Sequence, residues 1–324
     1  MPATIILLTC LGLLGYLQYS FDAPFDRQET PVVLIDKGSS LQDIADHLEN
    51  HGVVPSAFLF RLYAYTTFKW KKLKAGEYAF DTKAQSYESV INKIASGQIL
   101  LHKLSVPEGL TSFEIVQLIN NDDRLSGPVI SEVVAEGTLL PETYLFPRGE
   151  ARSKVLHRLS NAHDNLIQEL WPPSEENQDI YRSPQQMVIL ASLVEKETSV
   201  DQERPHIAGV FLNRLRAPMP LQCDATVLYG LKAKGDLSLE QLKIPTPFNT
   251  YVNQGLPPSP ICNPGKAALK AAFKPLETKD IYFVANGQGG HVFAATLAEH
   301  QKNHEEWRKI RKKMKDASNN VIMR

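Results

Sequence analysis

Apolar and polar positions divide this chain into segments of different period. The first twenty residues, MPATIILLTCLGLLGYLQYS, carry no charged side chain. The apolar stretch from Ala3 to Tyr19 is about as short as a membrane-spanning helix can be, and Asp22, Asp26 and Arg27 end it. Between there and about residue 122 one pattern recurs three times: an apolar run, a turn, a serine, then a short amphipathic helix. The copies are VVLIDKGSSLQDIADHLENHG, YAFDTKAQSYESVINKIASG and LSVPEGLTSFEIVQLINND, with Ser40, Ser86 and Ser112 at the expected N-caps. Ser40 with Asp43 has the form of a capping box. Such strand-turn-helix units predict a small α+β module.

Further along, LLPETYLFPRGE and WPPSEENQDIYRSP are expected to be loops. Tyr144 and Phe146 in the first can line a sugar cleft or plug a core, core plugging being the commoner use. A helix is predicted behind Ser183, with Pro184 at its first position, running PQQMVILASLVEKETS. A second follows near ERPHIAGVFLNRLRA and stops at Pro218 and Pro220. The stretches LQCDATVLYGL and PTPFNTYVNQGLPPSPICNPG are dense in turn formers and predict loops that shape a site on a helical scaffold. DIYFVANGQGGHVFAAT predicts a β-hairpin, and HQKNHEEWRKIRKKMK a basic helix with a solvated face.

Composition narrows the function classes. With 43% hydrophobic and 22% charged residues over 324 positions, the chain is an ordinary globular protein, and its net charge of −1 lacks the basic footprint of a nucleic-acid binder. At the amino terminus, an uncleaved anchor, a signal peptide and a lipoprotein signal using Cys10 compete. Neither a basic n-region nor a small-x-small cleavage site is present, which favours the anchor, with the large C-terminal part outside the cytoplasmic membrane. Cys223 and Cys262, the thiols outside that segment, either pair in an oxidising space or stay separate. His300 and His304 stand at i, i+4, but no third ligand of zinc type lies nearby, so no metal or organic cofactor is called for.

The candidate chemistry lies in ASLVEKETSV, residues 191–200. At about 100° per residue, Glu195 and Glu197 point roughly 200° apart and cannot serve one site together. Taking Met187 as zero, Leu190, Ala191 and Val194 fall near it, Lys196 opposite, and the glutamates on the flanks at roughly 80° and 280°. Glu197 stacks one turn beyond Leu193, so its carboxyl is the one expected among apolar atoms. Burial matters because a free glutamate is protonated only about one part in five hundred at pH 7, and desolvation raises that share. A Ser192–Lys196 dyad is disfavoured, since Lys196 faces away from the apolar side.

Taken in order, ASLVEKET, IAGVFLNRL, LQCDATVLYGL, TPFNTYVNQGLPPSPICNPG and YFVANGQGGHVF resemble the endolytic murein transglycosylase family, the YceG-like group. The resemblance implies an α+β protein in three parts: a transmembrane anchor at 1–21, a LysM-like module at 30–104, and a mainly helical catalytic domain at 105–324 with a loop-rich cleft and a β-hairpin. It implies a bacterial inner-membrane lyase with its catalytic domain in the periplasm, cleaving the MurNAc–GlcNAc bonds of peptidoglycan internally to leave 1,6-anhydro ends. Termination of nascent strands beside cell-wall synthases is implied in the same way. Glu197 matches the family's catalytic glutamate, and Gln222, Asp224, Asn249 and Tyr251 match polar motif positions that would hold sugars. Glu203, beside Arg204, reads as a helix-start charge or a cleft brace, the former being favoured. The chain departs from the family at Cys223 and Ala225, where Thr or Ser and then Pro are usual, and at Cys262. That paired departure implies a disulfide between Cys223 and Cys262. A muramidase and an inactive wall binder remain the alternatives.

Overall fold

The computed structural model describes residues 2–25, 30–82, 85–172, 177 and 180–322. Asp26, Arg27 and residues 173–176, 178 and 179 of the 171–184 loop expectation lie outside them, as does the side chain of Cys10. The uncharged run forms helix α1 (Pro2–Asp22). Among the described residues no helix is long and apolar enough to cross a membrane. Leu8, Leu11, Tyr16 and Tyr19 of α1 are exposed, whereas Phe21 is buried.

The chain divides into two compact units, Met1–Leu104 with Leu145–Glu150, and Ser105–Tyr144 with Ala151–Arg324. In the first, β1 (Val32–Ile35) pairs antiparallel with β2 (Gly76–Ala79), Val33 opposite Tyr78. Between them run α2 (Leu41–Asn50) and α3 (Ala57–Thr66), and α4 (Tyr87–Ser96) follows. Ser40 caps α2 in a reciprocal box with Asp43, and Ser86 caps α4 in another with Ser89, so both serines stand where the sequence puts them. The unit's core gathers Val33, Leu48, Phe60, Tyr78, Phe80, Ile91 and Ile94. α3 is not foreseen by the periodicity, because AFLFRLYAYT has no clean polar face.

The third copy differs from the first two. Its strand β3 (Leu101–Ser105) pairs with β4 (Thr143–Pro147), a strand where a loop is expected. The aromatic and β-branched content of Thr143–Phe146 suits a strand. Phe146 is fully buried and Tyr144 donates to Leu140 O at 2.7 Å. The helix α5 (Ser112–Asn120) is capped by Thr111, one residue before the expected Ser112, with Glu114 closing the box. Ser112 instead turns its hydroxyl to Ala135 O at 2.8 Å.

In the second unit α6 (Arg152–Leu170), α7 (Pro184–Glu197), α8 (Arg204–Arg216) and α10 (Lys266–Phe273) surround a core of Met187, Leu190, Leu193, Ile207, Phe211 and Leu269. Every residue of α7 from Met187 to Val194 is buried, so this helix is central rather than one-faced. Close packing is visible at Gly209 of α8, where a β-carbon would stand 2.3 Å from Leu276 O. LQCDATVLYGL, expected as loop, contains α9 (Asp224–Leu231). The expected hairpin is present as β5 (Tyr282–Ala285) and β6 (His291–Ala294), and the basic tail as α11 (Leu297–Ile322).

Candidate active site

The buried part of α7 ends in Glu195-Lys196-Glu197, and Thr198 leaves the helix with an extended backbone, φ −147° and ψ 142°. Three charged side chains are thereby delivered to the open end of a helix whose body is locked in the core. A cleft of about 490 Å³ opens there, with Glu108, Glu195, Glu197, Asp201 and Arg204 on its wall. Two larger hollows, of 630 and 560 Å³, lie beside Gln186 and Asn213 and include neither glutamate. The smaller cleft is the one that includes both glutamates of α7.

The glutamates diverge as the helical angle predicts. Glu195 has one carboxylate oxygen on Arg204 Nη2 at 2.9 Å, and the other accepts from Gly265 N–H at 2.9 Å. Arg204 is itself buried and also reaches Asp201 and, at 3.3 Å, Glu108. Burial raises the Glu195 pKa, while Gly265 and Arg204 oppose the rise. Its oxygens are engaged, which suits a structural ion pair. Lys196 is exposed and donates to Gly109 O at 3.3 Å.

Glu197 faces a different set of groups. Burial pushes its pKa up, and the Cys223 thiol, hydrogen-bonded to its carboxylate, opposes the rise. The charge of Asp224 adds to the rise, while His291 and Arg214 act against it. By area the residue is only half-buried, yet burial is the largest influence on its carboxyl. The latter governs its chemistry, because the proton and the charge reside there, while the open part gives access from the cleft. Glu136, whose pKa burial pushes up to about 7, is another raised carboxyl of this unit. It accepts from Ser112 N–H at 2.8 Å and does not line the cleft.

Two of the expected sugar-binding residues meet beside Glu197. The Tyr251 hydroxyl donates to Asp224 Oδ1 at 2.6 Å, and burial followed by that carboxylate holds the phenol well above its ordinary range. Gln222 is exposed next to Cys223, in a left-handed backbone at φ 53°, with its N–H on Thr250 O at 3.1 Å. Asn249 belongs to the loop itself. It is fully buried, its amide donates to Leu242 O at 3.0 Å and Ile244 O at 2.8 Å, and its oxygen accepts from Tyr251 N–H at 2.9 Å. Its hydrogen-bonding groups are spent on the turn that presents Tyr251, so a sugar-binding role is replaced by a bracing one.

The cysteine expectation is also corrected. Cys223 and Cys262 are free, buried thiols. Cys223 faces Glu197, and Cys262 donates to Ser192 O at 3.5 Å. Ser192 is no nucleophile, since its hydroxyl donates to Ile189 O at 2.7 Å and accepts from Ile261 N–H at 3.1 Å inside the core.

Two groups near Glu197 are given no role by the sequence. Arg214 is buried, its guanidinium donating to Ile281 O at 2.6 Å and Leu221 O at 2.7 Å, which ties the β5 approach to the loop carrying Gln222 and Cys223. His291 opens β6 and is held by Glu203, whose carboxylate accepts from its backbone N–H and its ring Nδ1, both at 2.8 Å. Glu203 is therefore a cleft brace as well as a helix-start residue. Arg214 and His291 both lie inside quoted motifs, NRL and GGHVF, and that placement is the signal by which they are found.

Residues 33–306 match the sequence model of the YceG-like family. A Bacillus subtilis (strain 168) protein named endolytic murein transglycosylase is 30% identical over 316 residues, covering 87% of this chain and 86% of that protein. A Streptococcus pneumoniae (strain R6) protein of the same name is 30% identical over 358 residues, covering 92% of this chain and 62% of its own length. Among solved structures, a yceG-like protein from Listeria monocytogenes aligns with a TM-score of 0.51 at 30% identity, covering 85% of this chain and 99% of that one.

Proposed function

The chain belongs to the YceG-like family, and on that premise we propose that it is an endolytic peptidoglycan lytic transglycosylase, a lyase that cuts glycan strands between MurNAc and GlcNAc. The observation that carries the proposal is Glu197, a desolvated carboxyl with a raised pKa at the end of a core helix, beside a cleft. Such a group keeps its proton to higher pH than a free glutamate does and can release it to a substrate oxygen.

In this reading Glu197 donates its proton to the glycosidic oxygen, which leaves as the 4-hydroxyl of GlcNAc, while positive charge develops at the anomeric carbon of MurNAc. The acetamido group of the same sugar assists, so no second carboxylate nucleophile is required. The C6 hydroxyl then bonds to the anomeric carbon and gives its proton to the Glu197 carboxylate. One bond breaks, one forms, and the glutamate ends as it began, with no water consumed. The Cys223 thiol, His291 and Arg214 hold the carboxyl's pKa down against burial, which favours release of the proton to the glycosidic oxygen. Asp224, Tyr251 and Gln222 would hold sugar hydroxyls and acetamido groups, a role supported by the Tyr251–Asp224 hydrogen bond and the exposure of Gln222.

The finer assignments belong to the same proposal. An N-terminal anchor is supported by the uncharged run through Ser20 and the exposed Leu8 and Leu11, and it would place the second unit on the periplasmic side of a bacterial inner membrane. The order β1, α2, α3, β2 around an antiparallel pair supports a LysM-like wall-binding module. Termination of nascent strands beside cell-wall synthases rests on the family resemblance. The test is digestion of purified glycan strands with the protein and with Glu197→Gln. Anhydro ends from the first and no cleavage by the second are expected. Reducing ends would make it a muramidase, and no cleavage by either would make it a wall binder.

A further inference from the structure

The turn between α3 and β2 carries a group of side chains that the proposed chemistry does not use. Phe68 lies at its tip with φ 56° and ψ 14°, a left-handed backbone that a bulky residue rarely adopts, and 70% of its surface is exposed. Its N–H donates to Tyr65 O at 3.1 Å, and Trp70, 39% exposed, tilts against the Tyr65 ring at 5.9 Å. The 3₁₀ turn that follows is Lys-Trp-Lys-Lys, residues 69–72. A strained, outward phenylalanine beside an exposed tryptophan and three lysines is costly to keep unless something covers it.

Position says what covers it. The Lys69 ammonium stands 5.6 Å over the Tyr63 ring, and that ring meets Phe21 edge-on at 4.9 Å. Phe21 is the penultimate residue of α1, so the turn stands at the foot of that helix. Two further exposed aromatics, Tyr16 and Tyr19, project from the last turns of α1. Tyrosine and tryptophan gather where a bilayer meets water, and lysines beside them are drawn to anionic headgroups. Lys69 is paired with Glu88 at 3.2 Å and Asn92 at 2.8 Å, whereas Lys71, 5.4 Å over Trp70, and Lys72 are exposed beside the rings.

We propose that the Phe68–Lys72 turn seats on the surface of an anionic phospholipid membrane beside the foot of α1, fixing the first unit against the bilayer. This inference rests on the reading of α1 as an anchor.

The test reconstitutes the full chain into vesicles of brominated phosphatidylglycerol or brominated phosphatidylcholine and reads Trp70 fluorescence as the difference between the protein and Trp70→Phe. Flotation of the vesicles reports the anchor separately. Flotation with Trp70 quenched in phosphatidylglycerol, and much less in phosphatidylcholine, is the expected result. In the double variant Lys71→Gln/Lys72→Gln, whose sites are both exposed, flotation persists. The seating equilibrium weakens by about 30-fold, from roughly a factor of five per lysine at an anionic surface. A chain that floats with Trp70 unquenched, or equally quenched in both lipids and indifferent to the lysines, overturns the proposal and leaves the anchor standing. A chain that does not float overturns both. Trp70 responding to added glycan fragments and not to lipid overturns it in favour of a sugar platform.

Discussion

Glu195 and Glu197 leave the same helix two residues apart, and their surroundings divide structure from chemistry. Glu195 spends one oxygen on Arg204 and the other on the Gly265 amide, an arrangement that ties α7, α8 and the start of α10 together at the rim of the cleft. Glu197 is set against a thiol, a carboxylate, an imidazole and a guanidinium, with its pKa raised by burial. Identical side chains thus become a girder and, in the proposed reaction, an acid. The difference comes from direction around the helix and from what the loops bring to each flank. It also shows that a raised pKa is insufficient to mark a catalytic group, since both glutamates have one. Access from the cleft with oxygens not already spent is the second requirement.

The comparison is broken most directly at Glu197. Glu197→Gln should lower the rate of strand cleavage by about three orders of magnitude, within the range for a positioned proton transfer, while the unfolding midpoint holds or rises. The stability sign follows from the raised pKa. The neutral carboxyl's contribution is fully present below the ordinary carboxylate range and is lost as pH rises through the raised value, a loss the amide does not suffer. Activity through the acid step should likewise fall as pH rises through that value.

The opposite substitution strikes the girder. Arg204→Met leaves Glu195 as a buried charge without its cation and should cost about 3–5 kcal/mol in urea unfolding. An unchanged midpoint would show that Glu195 is as free as Glu197. Asn249→Ala, which strands two carbonyls and an amide of the Tyr251 loop, should cost about 1–3 kcal/mol and raise KM through Tyr251.

Smaller effects sharpen the picture. Glu136→Gln should flatten the loss of stability between the ordinary carboxylate value of 4.5 and about 7, where the buried neutral acid is progressively ionised, and leave the pH profile of cleavage unmoved. Cys223→Ala removes a donor that holds the Glu197 pKa down, so the alkaline limb of activity should move to higher pH. Cys223→Ser, which restores a donor, should bring the limb back.

Much of this was open to sequence reading where local physics dominates. The capped helices behind Ser40 and Ser86 and the Gly-rich hairpin follow from cap chemistry and period. The separation of the two glutamates follows from 100° per residue. What escapes depends on distant partners. Thr111 takes the cap from Ser112 because Ala135 and Asn263 claim the serine hydroxyl. The burial of Asn249 depends on carbonyls at Leu242 and Ile244, which no motif spacing announces. The pairing of Glu203 with His291 spans 88 positions. The two cysteines illustrate the same limit: their shared departure from the family pattern suggests a bond, whereas the fold gives each thiol its own acceptor.

The central claim is that Glu197 acts twice and water not at all. Cleavage of glycan strands in water enriched in heavy oxygen, followed by mass analysis of the new muramic ends, tests it most directly. Anhydro ends free of the heavy isotope are predicted, formed by the protein and absent with Glu197→Gln. Muramic ends carrying one heavy oxygen, or anhydro ends formed at an undiminished rate by Glu197→Gln, would contradict it.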